Sequence, residues 1–572
     1  MVSLMDLSNP VEFPPKVYIP KTGTQSPLRL VLIHPNCFLN LFGACRFQCL
    51  LGSVQAFGCY LDGSDYENGR NMTLFCIPIP MPPVKVSVVA IESNPLIGQE
   101  KLFKARLDSV GFDFEQVKYD ARRGYCAAVL VAEPFSNISR LENIMGCDLF
   151  KPSSEFRPKK ILPHCYSTDL PSALLEPADL EVFRDFCRKV KDKLRITKRV
   201  VAVVVGGKGT GKSTTAKLMV NLCRTKDPVP NSSVYFMDCD VGQSEFTPAG
   251  LISLHKINAP ILSVPFGSQL KTFPRSYYFG SITPETNIEL YKAMIKKVYQ
   301  DFIQLSETEK HSLLVVNTLG WVENVGEEIQ RFILDILTPV ELLTLGENSV
   351  TRFANCAKIK PHVQESHNVV KSATIRDRTL TGYLAHCLVK SDNTQVSSFS
   401  EVSVRMVNFA NISIFIHPTN LVADYCYLAA LNMSTVALCS IPPEFADLYD
   451  NPRLCSRDDL PRKLWVKPTV SEDALLQPFL RCHGYGLVRA VSLEHKKIYL
   501  ITPTDPEELR NVSILALGDG IPTPKSIFQT QTTINAPYLM QSIAGKCETF
   551  NKLSMPLKII SSAKKMGVRN RK

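Results

Sequence analysis

Six consecutive apolar residues, Val200 to Val205, run directly into Gly206-Gly207-Lys208-Gly209-Thr210-Gly211-Lys212-Ser213, and Leu218, Met219, Leu222 and Cys223 follow at helical spacing. A strand apolar on both faces must be covered on both sides, as in a parallel sheet. The loop after it satisfies the Gly-x-x-x-x-Gly-Lys-Ser/Thr pattern. Its glycines let the backbone curl around phosphate oxygens, and the helix that follows offers free N–H groups and a positive dipole end. Lys212 is thereby placed to bridge β- and γ-phosphates and the Ser213 hydroxyl to hold Mg²⁺. Thr214 completes the candidate nucleotide site, and Lys208 either adds a second charge or points into solvent. ATP and Mg²⁺ are the expected cofactors.

Val234 to Asp238 and Leu313 to Asn317 read as two further buried strands, with a helix over Glu289 to Phe302 before the second, so the middle of the chain is α/β. Asp238 and Asp240 stand two apart at a strand end, which turns both carboxylates to one side. Ligands of open parallel sheets gather at that carboxyl edge. One acid would bind Mg²⁺ or its water, and the other would accept a proton from an attacking hydroxyl. A GTPase would need Asp-x-x-Gly here, but Cys239 stands three before Gly242, and the chain has no Asn/Thr-Lys-x-Asp motif.

On either side the strand signals are shorter and separated by Gly, Pro and Asn-Gly punctuation, over residues 16–132 and again beyond about Ser400. The first of these stretches suggests a sandwich or barrel. With 572 residues, a prior of about 150 per domain suggests roughly three to four units. The expected division is a β-rich N-terminal domain (1–150), a proline-rich linker and lead-in helix (151–185), a P-loop domain with a lid (186–400), a β-rich C-terminal domain (401–558) and a basic tail (559–572). No apolar run approaches the roughly 18 residues that a membrane helix needs, so no membrane partner is expected. Acids and a proline stand where a signal peptide would be basic and then apolar, which points to a cytosolic or nuclear protein. The 18 cysteines are scattered without a Cys-x-x-Cys and read as reduced, mostly buried thiols. His362 and His367 lack a cysteine pair to complete a zinc site, and no structural metal is expected. The formal charge of +11 is uneven: Arg184 to Arg199 is basic, and Lys558 to Lys572 carries six positive charges and no acid. Each run suits a polyanion, a nuclear or nucleolar address, or simply a solvated face.

From Asp238 to Gly250 the sequence, Asp-Cys-Asp-Val-Gly-Gln-Ser-Glu-Phe-Thr-Pro-Ala-Gly, resembles the eukaryotic polynucleotide 5′-hydroxyl kinases of the nucleolar pre-ribosomal-RNA processing branch. Phe279 to Asn287 is similar to that family's Phe-Gly segment, and Asn317-Thr318-Leu319-Gly320-Trp321 to its Thr-x-Gly-Trp signature. The outer regions match more sparsely, at Gly52-Ser53-Val54, Gly484-Tyr485-Gly486, Thr502-Pro503 and Gly518 to Pro522. The resemblance implies Lys212 and Ser213 on ATP and Mg²⁺, Asp240 activating an RNA 5′-hydroxyl, Gln243 beside the metal or phosphates, and Thr318 and Trp321 on the acceptor side. Trp321 would stack on a terminal base or else be a core tryptophan. Ile375 to Leu384 resembles the family's arginine-bearing lid, with Arg378 the better match and Arg376 the second. Gly382 and Leu384 depart from its bulkier and aromatic residues. The function implied is transfer of the ATP γ-phosphate to the 5′-OH of RNA during processing of the internal transcribed spacer and maturation of large-subunit rRNA. A pre-rRNA endonuclease would be its partner and the nucleolus its location. The alternative is an ATP-binding scaffold subunit with little or no turnover.

Overall fold

The computed structural model describes residues 13–548 apart from 24–25, 67–71, 79–80, 82, 90–92, 135–137, 153–156, 169–176, 347–355, 361–369, 390–395, 397, 421, 423–425, 450–459, 465, 467–477, 522, 525–526, 528–539 and 542–546. The basic tail, the His362 and His367 pair and Pro522 lie outside the described residues.

Five strands form the parallel part of the central sheet, in the order Cys356–Ile359, Val340–Leu345, Arg199–Gly206, His311–Asn317, Ser232–Asp238. Alternate side chains of Arg199–Gly206 enter different cores: Val201, Val203 and Val205 join one cluster, and Val200, Ala202 and Val204 the other. Burial of each such valine contributes on the order of 1.5–3 kcal/mol, so a polar residue on either face is excluded. The sheet does not end at the expected boundary near residue 400. Leu251–Lys256 and Ser276–Tyr278 continue it antiparallel, and Ser276–Tyr278 pairs with Leu480–Ser492, so the C-terminal strands extend the central sheet directly.

The N-terminal sheet is built on the long strand Phe38–Leu51, which pairs antiparallel with Ala127–Ala132, Thr73–Ile77 and Val84–Val88. Its composition is not purely β. Helices Glu100–Ser109 and Phe114–Arg122 cover one face, burying Phe103, Leu107, Phe114, Val117 and Ala121 against Leu30, Leu50 and Leu130. The stretch expected to be a linker also carries structure: Lys159–Leu162 and Cys165–Thr168 form a hairpin that adds to Phe38–Leu51. The sixteen described cysteines are all free and mostly buried. No described helix is long and apolar enough to cross a membrane.

The lead-in helix, Pro177–Ile196, runs past the expected boundary at 185, with Phe183, Phe186, Cys187, Val190 and Leu194 packed on the central sheet. Much of its basic charge is matched locally. Arg188 and Arg195 pair with Asp185 and Asp192, and Lys189 and Lys193 both reach Glu341. The Arg184 to Arg199 run is therefore a self-compensated surface more than an open cationic one.

The helix after the phosphate loop, Lys212–Thr225, is fixed by buried polar contacts. Lys217 Nζ donates to Glu245 Oε1 and to the Ser263 carbonyl, both at 3.0 Å, and Asn221 Nδ2 donates to the carbonyls of Phe57 and Ile261. Lys217 is 5% and Glu245 1% exposed, so either one alone would be an uncompensated buried charge. Lys217→Met should lower stability in urea unfolding by about 3–5 kcal/mol, and adding Glu245→Leu should recover a substantial part of it. A loss below about 1 kcal/mol for the single substitution would mean that the pair is solvated.

Candidate functional site

The carboxyl ends of Arg199–Gly206, Ser232–Asp238 and His311–Asn317 open into one cavity of about 540 Å³. Lys208, Gly209, Gly211, Lys212, Ser213 and Thr214 form its floor; Asp240, Gly242 and Gln243 form one wall; Gly320 and Trp321 form another. Gly211 caps the helix with a φ of 92°, a left-handed conformation that a side chain would resist. A Cβ at Gly320 would lie 2.9 Å from the Lys208 Cα and 3.2 Å from the Lys212 Nζ, so only a bare backbone fits against the loop there. Lys212 Nζ donates to the Gly207 carbonyl at 2.7 Å, and Thr210 Oγ1 donates to the same oxygen at 2.9 Å. Gly206, Gly207 and Thr210 thus shape the loop from beneath rather than line the cavity. A cationic amine, a serine hydroxyl and a loop with no room for side chains fit a polyphosphate and its metal ion. Burial lowers the Lys212 amine to about 8, against the opposing pull of the Asp240 charge.

Asp240 lines the cavity, and its Oδ1 accepts from the N–H groups of Gly242 and Gln243 at 2.9 and 3.0 Å. Burial raises its carboxyl above the usual range, and the two N–H groups and the charges of Lys212 and Lys208 partly oppose this. Asp238 occupies a different position from the one expected. It is 1% exposed and lies outside the cavity lining; Oδ2 accepts from the Glu245 N–H at 2.7 Å and Oδ1 from Asn317 Nδ2 at 3.1 Å. Burial pushes its carboxyl up to about 7. Asp238 engages both of its oxygens in hydrogen bonds below the cavity. It orients Asn317, whose Oδ1 accepts from Ser213 Oγ at 3.2 Å. Asn317 was quoted in a family signature but not singled out, and the signal lay in its place at a strand end beside the loop.

Two further corrections concern the acceptor side and the lid. Thr318 is fully buried and donates to the Val204 carbonyl at 2.8 Å, tying two strand ends together instead of facing the cavity. Trp321 combines the two readings open to it: it is half-buried against the core and against Gly326, and it also lines the cavity. The expected lid is the helix Ser372–Leu384, and the arginine it turns to the cavity is Arg376, not Arg378. Two residues are about 200° apart on a helix, so the two arginines cannot share a face. The helix packs closely here because Gly382 abuts Pro265–Ser268, where a Cβ would come within 2.4 Å of the Phe266 carbonyl oxygen. The segment Ile282 to Glu285 also lines the cavity, within a block that had been matched to the family without site roles.

Residues 206–383 match the family model described as the mRNA cleavage and polyadenylation factor CLP1 P-loop. A polynucleotide 5′-hydroxyl-kinase nol-9 from Caenorhabditis briggsae is 31% identical over 352 residues, 59% of this chain and 61% of that protein. Its namesake from Caenorhabditis elegans is 27% identical over 91% of this chain and 93% of its own length, and the polynucleotide 5′-hydroxyl-kinase NOL9 of Homo sapiens is 25% identical over 59% and 52%. The chain is thus similar to polynucleotide 5′-hydroxyl-kinases over most of its length. The match spans under two thirds of the Caenorhabditis briggsae and human proteins. A solved structure of Clp1p with Pcf11p superposes with a TM-score of 0.50 at 13% identity, over 86% of this chain and 99% of that one, in agreement on the fold.

The depressed Lys212 amine gives the site a pH signature. Without a bound polyanion Lys212 loses its proton as pH rises through about 8, whereas an anion beside it favours the charged form. MgATP affinity should therefore be full below pH 8 and about tenfold weaker at pH 9 than at pH 7. Calorimetric titration across that window checks it, and an unchanged affinity at pH 9 would contradict the lowering of the amine by burial.

Proposed function

We propose that this chain is an ATP-dependent kinase that moves the γ-phosphoryl group of ATP onto the 5′-hydroxyl of RNA. The observation that carries the reading is that a single cavity presents Lys212 and Ser213 on one side and the Asp240 carboxylate, held by two backbone N–H groups, on the other. The loop N–H groups and Lys212 hold the β- and γ-phosphates, and Arg376 approaches them from the lid helix. Asp240 accepts the proton of the 5′-hydroxyl as its oxygen forms the new P–O bond. The bond to the β-phosphate oxygen breaks with its electron pair left on ADP. A carboxylate with a raised pKa is a stronger base than an exposed one and suits this task. Mg²⁺, held through Ser213, would neutralise charge across the phosphate oxygens. Asp238 acts through Asn317 to keep the Ser213 hydroxyl in place, Gln243 borders the phosphates, and the exposed part of Trp321 offers a surface for a terminal base.

The names of the relatives support the reaction class. The resemblance in the central motifs, together with the basic tail in the sequence, supports a nucleolar place in pre-ribosomal-RNA processing. There the chain would act beside an endonuclease whose cut leaves a 5′-hydroxyl.

Purified protein incubated with γ-labelled ATP and a 5′-hydroxyl oligoribonucleotide should label the RNA end. Asp240→Asn should lower kcat by at least about 100-fold, because it removes a group that acts in proton transfer. MgATP affinity should stay within about threefold of wild type, since that contribution is made in the transition state. A wild-type protein that binds ATP and labels no RNA end would favour the scaffold reading instead.

A further inference from the structure

The C-terminal motif Gly484-Tyr485-Gly486 takes no part in the cavity, yet it sits at the junction of the lid helix and the loop that carries Asp240. The Tyr485 hydroxyl donates to the Ala249 carbonyl at 2.8 Å, on the segment that runs from Asp240 to Gly250. The Tyr485 backbone N–H donates to the Tyr383 hydroxyl at 3.0 Å, and that hydroxyl also shares a 3.0 Å hydrogen bond with Thr504 Oγ1. Tyr383, Tyr485 and Thr504 are 0%, 1% and 3% exposed. The space is fully used: a Cβ at Gly484 would lie 2.0 Å from Thr504 Oγ1 and 2.8 Å from the Tyr383 hydroxyl. A phenylalanine would fill the Tyr383 site with the same ring, so the hydroxyls do more than fill volume.

Tyr383 stands seven residues after Arg376. Seven steps of about 100° bring the helix back to within roughly 20° of the same face, two turns further along. Whatever fixes the Tyr383 hydroxyl therefore fixes the rotation that turns Arg376, and not Arg378, into the cavity. We infer that the Tyr383, Thr504 and Tyr485 hydrogen-bond network is a positioning device for Arg376, through which the C-terminal strands hold the lid helix in register with the Asp240 loop. Tyr383 and Tyr485 are positioning residues, since neither reaches the cavity.

The inference rests on the proposed kinase reading only where turnover is measured, and MgATP affinity tests it independently. Wild type, Tyr383→Phe, Arg376→Ala and the double variant are compared for MgATP affinity by calorimetry and for kcat on a 5′-hydroxyl oligoribonucleotide. Tyr383→Phe should weaken MgATP about threefold to tenfold, the scale of one buried hydrogen bond. In the Arg376→Ala background the same substitution should change affinity by less than about twofold, because the positioned group is gone. Tyr427→Phe is the control: it removes another buried hydroxyl contact, to the Pro461 carbonyl at 2.7 Å, and should leave affinity and kcat within about twofold of wild type. Effects of Tyr383→Phe and Arg376→Ala that multiply would overturn the inference. So would a Tyr383→Phe protein equal to wild type, or a Tyr427→Phe protein as impaired as Tyr383→Phe. A wild-type protein without turnover sinks the kinase reading, and the affinity cycle still decides the role of the network.

Discussion

The structure depends on how the backbone is satisfied where three parallel strands stop. Within the sheet each N–H and C=O has a partner, but at the carboxyl edge the ladders end beneath a buried surface where water is scarce. Side chains and one further backbone contact complete them. Thr318 donates to the Val204 carbonyl, the Cys239 N–H donates to the Asn317 carbonyl, the Tyr291 hydroxyl donates to the Cys239 carbonyl, and Asp238 accepts from the Glu245 N–H. These contacts lock the strand ends to one another, and the cavity is what remains above them. Asp240 shows the same requirement at the surface of the site: the turn after the strand frees the N–H groups of Gly242 and Gln243, and one carboxylate oxygen accepts both.

That requirement explains which parts of the site could be read from the sequence. The glycine-rich loop, Lys212, Ser213 and Asp240 were legible because each depends on a local rule, a strand running into a helix N-terminus or an acid at a strand end. Asp238 and Thr318 were misplaced because strand periodicity gives the face of a residue but not its depth. At a strand end, a polar side chain that completes the ladder below and one that meets a ligand above look alike in sequence. The N-terminal helices carried a signal in Phe103 and Leu107, four apart, and in Phe114, Val117 and Ala121 at helical spacing, but neighbouring strand signals dominated the reading of that region. The hairpin at residues 159–168 is short, and its strands depend on Phe38–Leu51, a partner far away in sequence that no local pattern reveals.

Successive turns of the P-loop helix are held by different chemistry, which bears on what the flanking regions contribute. In the last turns Asn221 is wholly buried; it donates to Phe57 and Ile261 carbonyls and accepts from the Ile261 N–H, while Thr225 accepts from the Tyr60 N–H. These are neutral hydrogen bonds to backbone, each of modest net value but costly to leave half-made. One turn earlier on the same face, Lys217 and Glu245 form an ion pair whose benefit is offset by desolvation, so it specifies an arrangement more than it adds stability. The helix that receives the phosphates is thereby fixed in place before any ligand arrives, as electrostatic preorganisation requires.

The choice between Arg376 and Arg378 shows how little separates a correct motif match from a correct site. Both lie in one short segment; similarity favoured Arg378, whereas the arginine that lines the cavity is Arg376. A helix advances about 100° per residue, so the answer is set by whatever fixes its rotation. Here that is a glycine and a tyrosine further along: Gly382 lets the helix backbone approach Pro265–Ser268, and Tyr383 is buried against Phe273 and the strand at Gly484. The departure from the family pattern at Gly382 is therefore not a weakness in the resemblance but the physical reason why the helix sits as it does. A larger residue there would push the helix away from Phe266, and with it the arginine that lines the cavity.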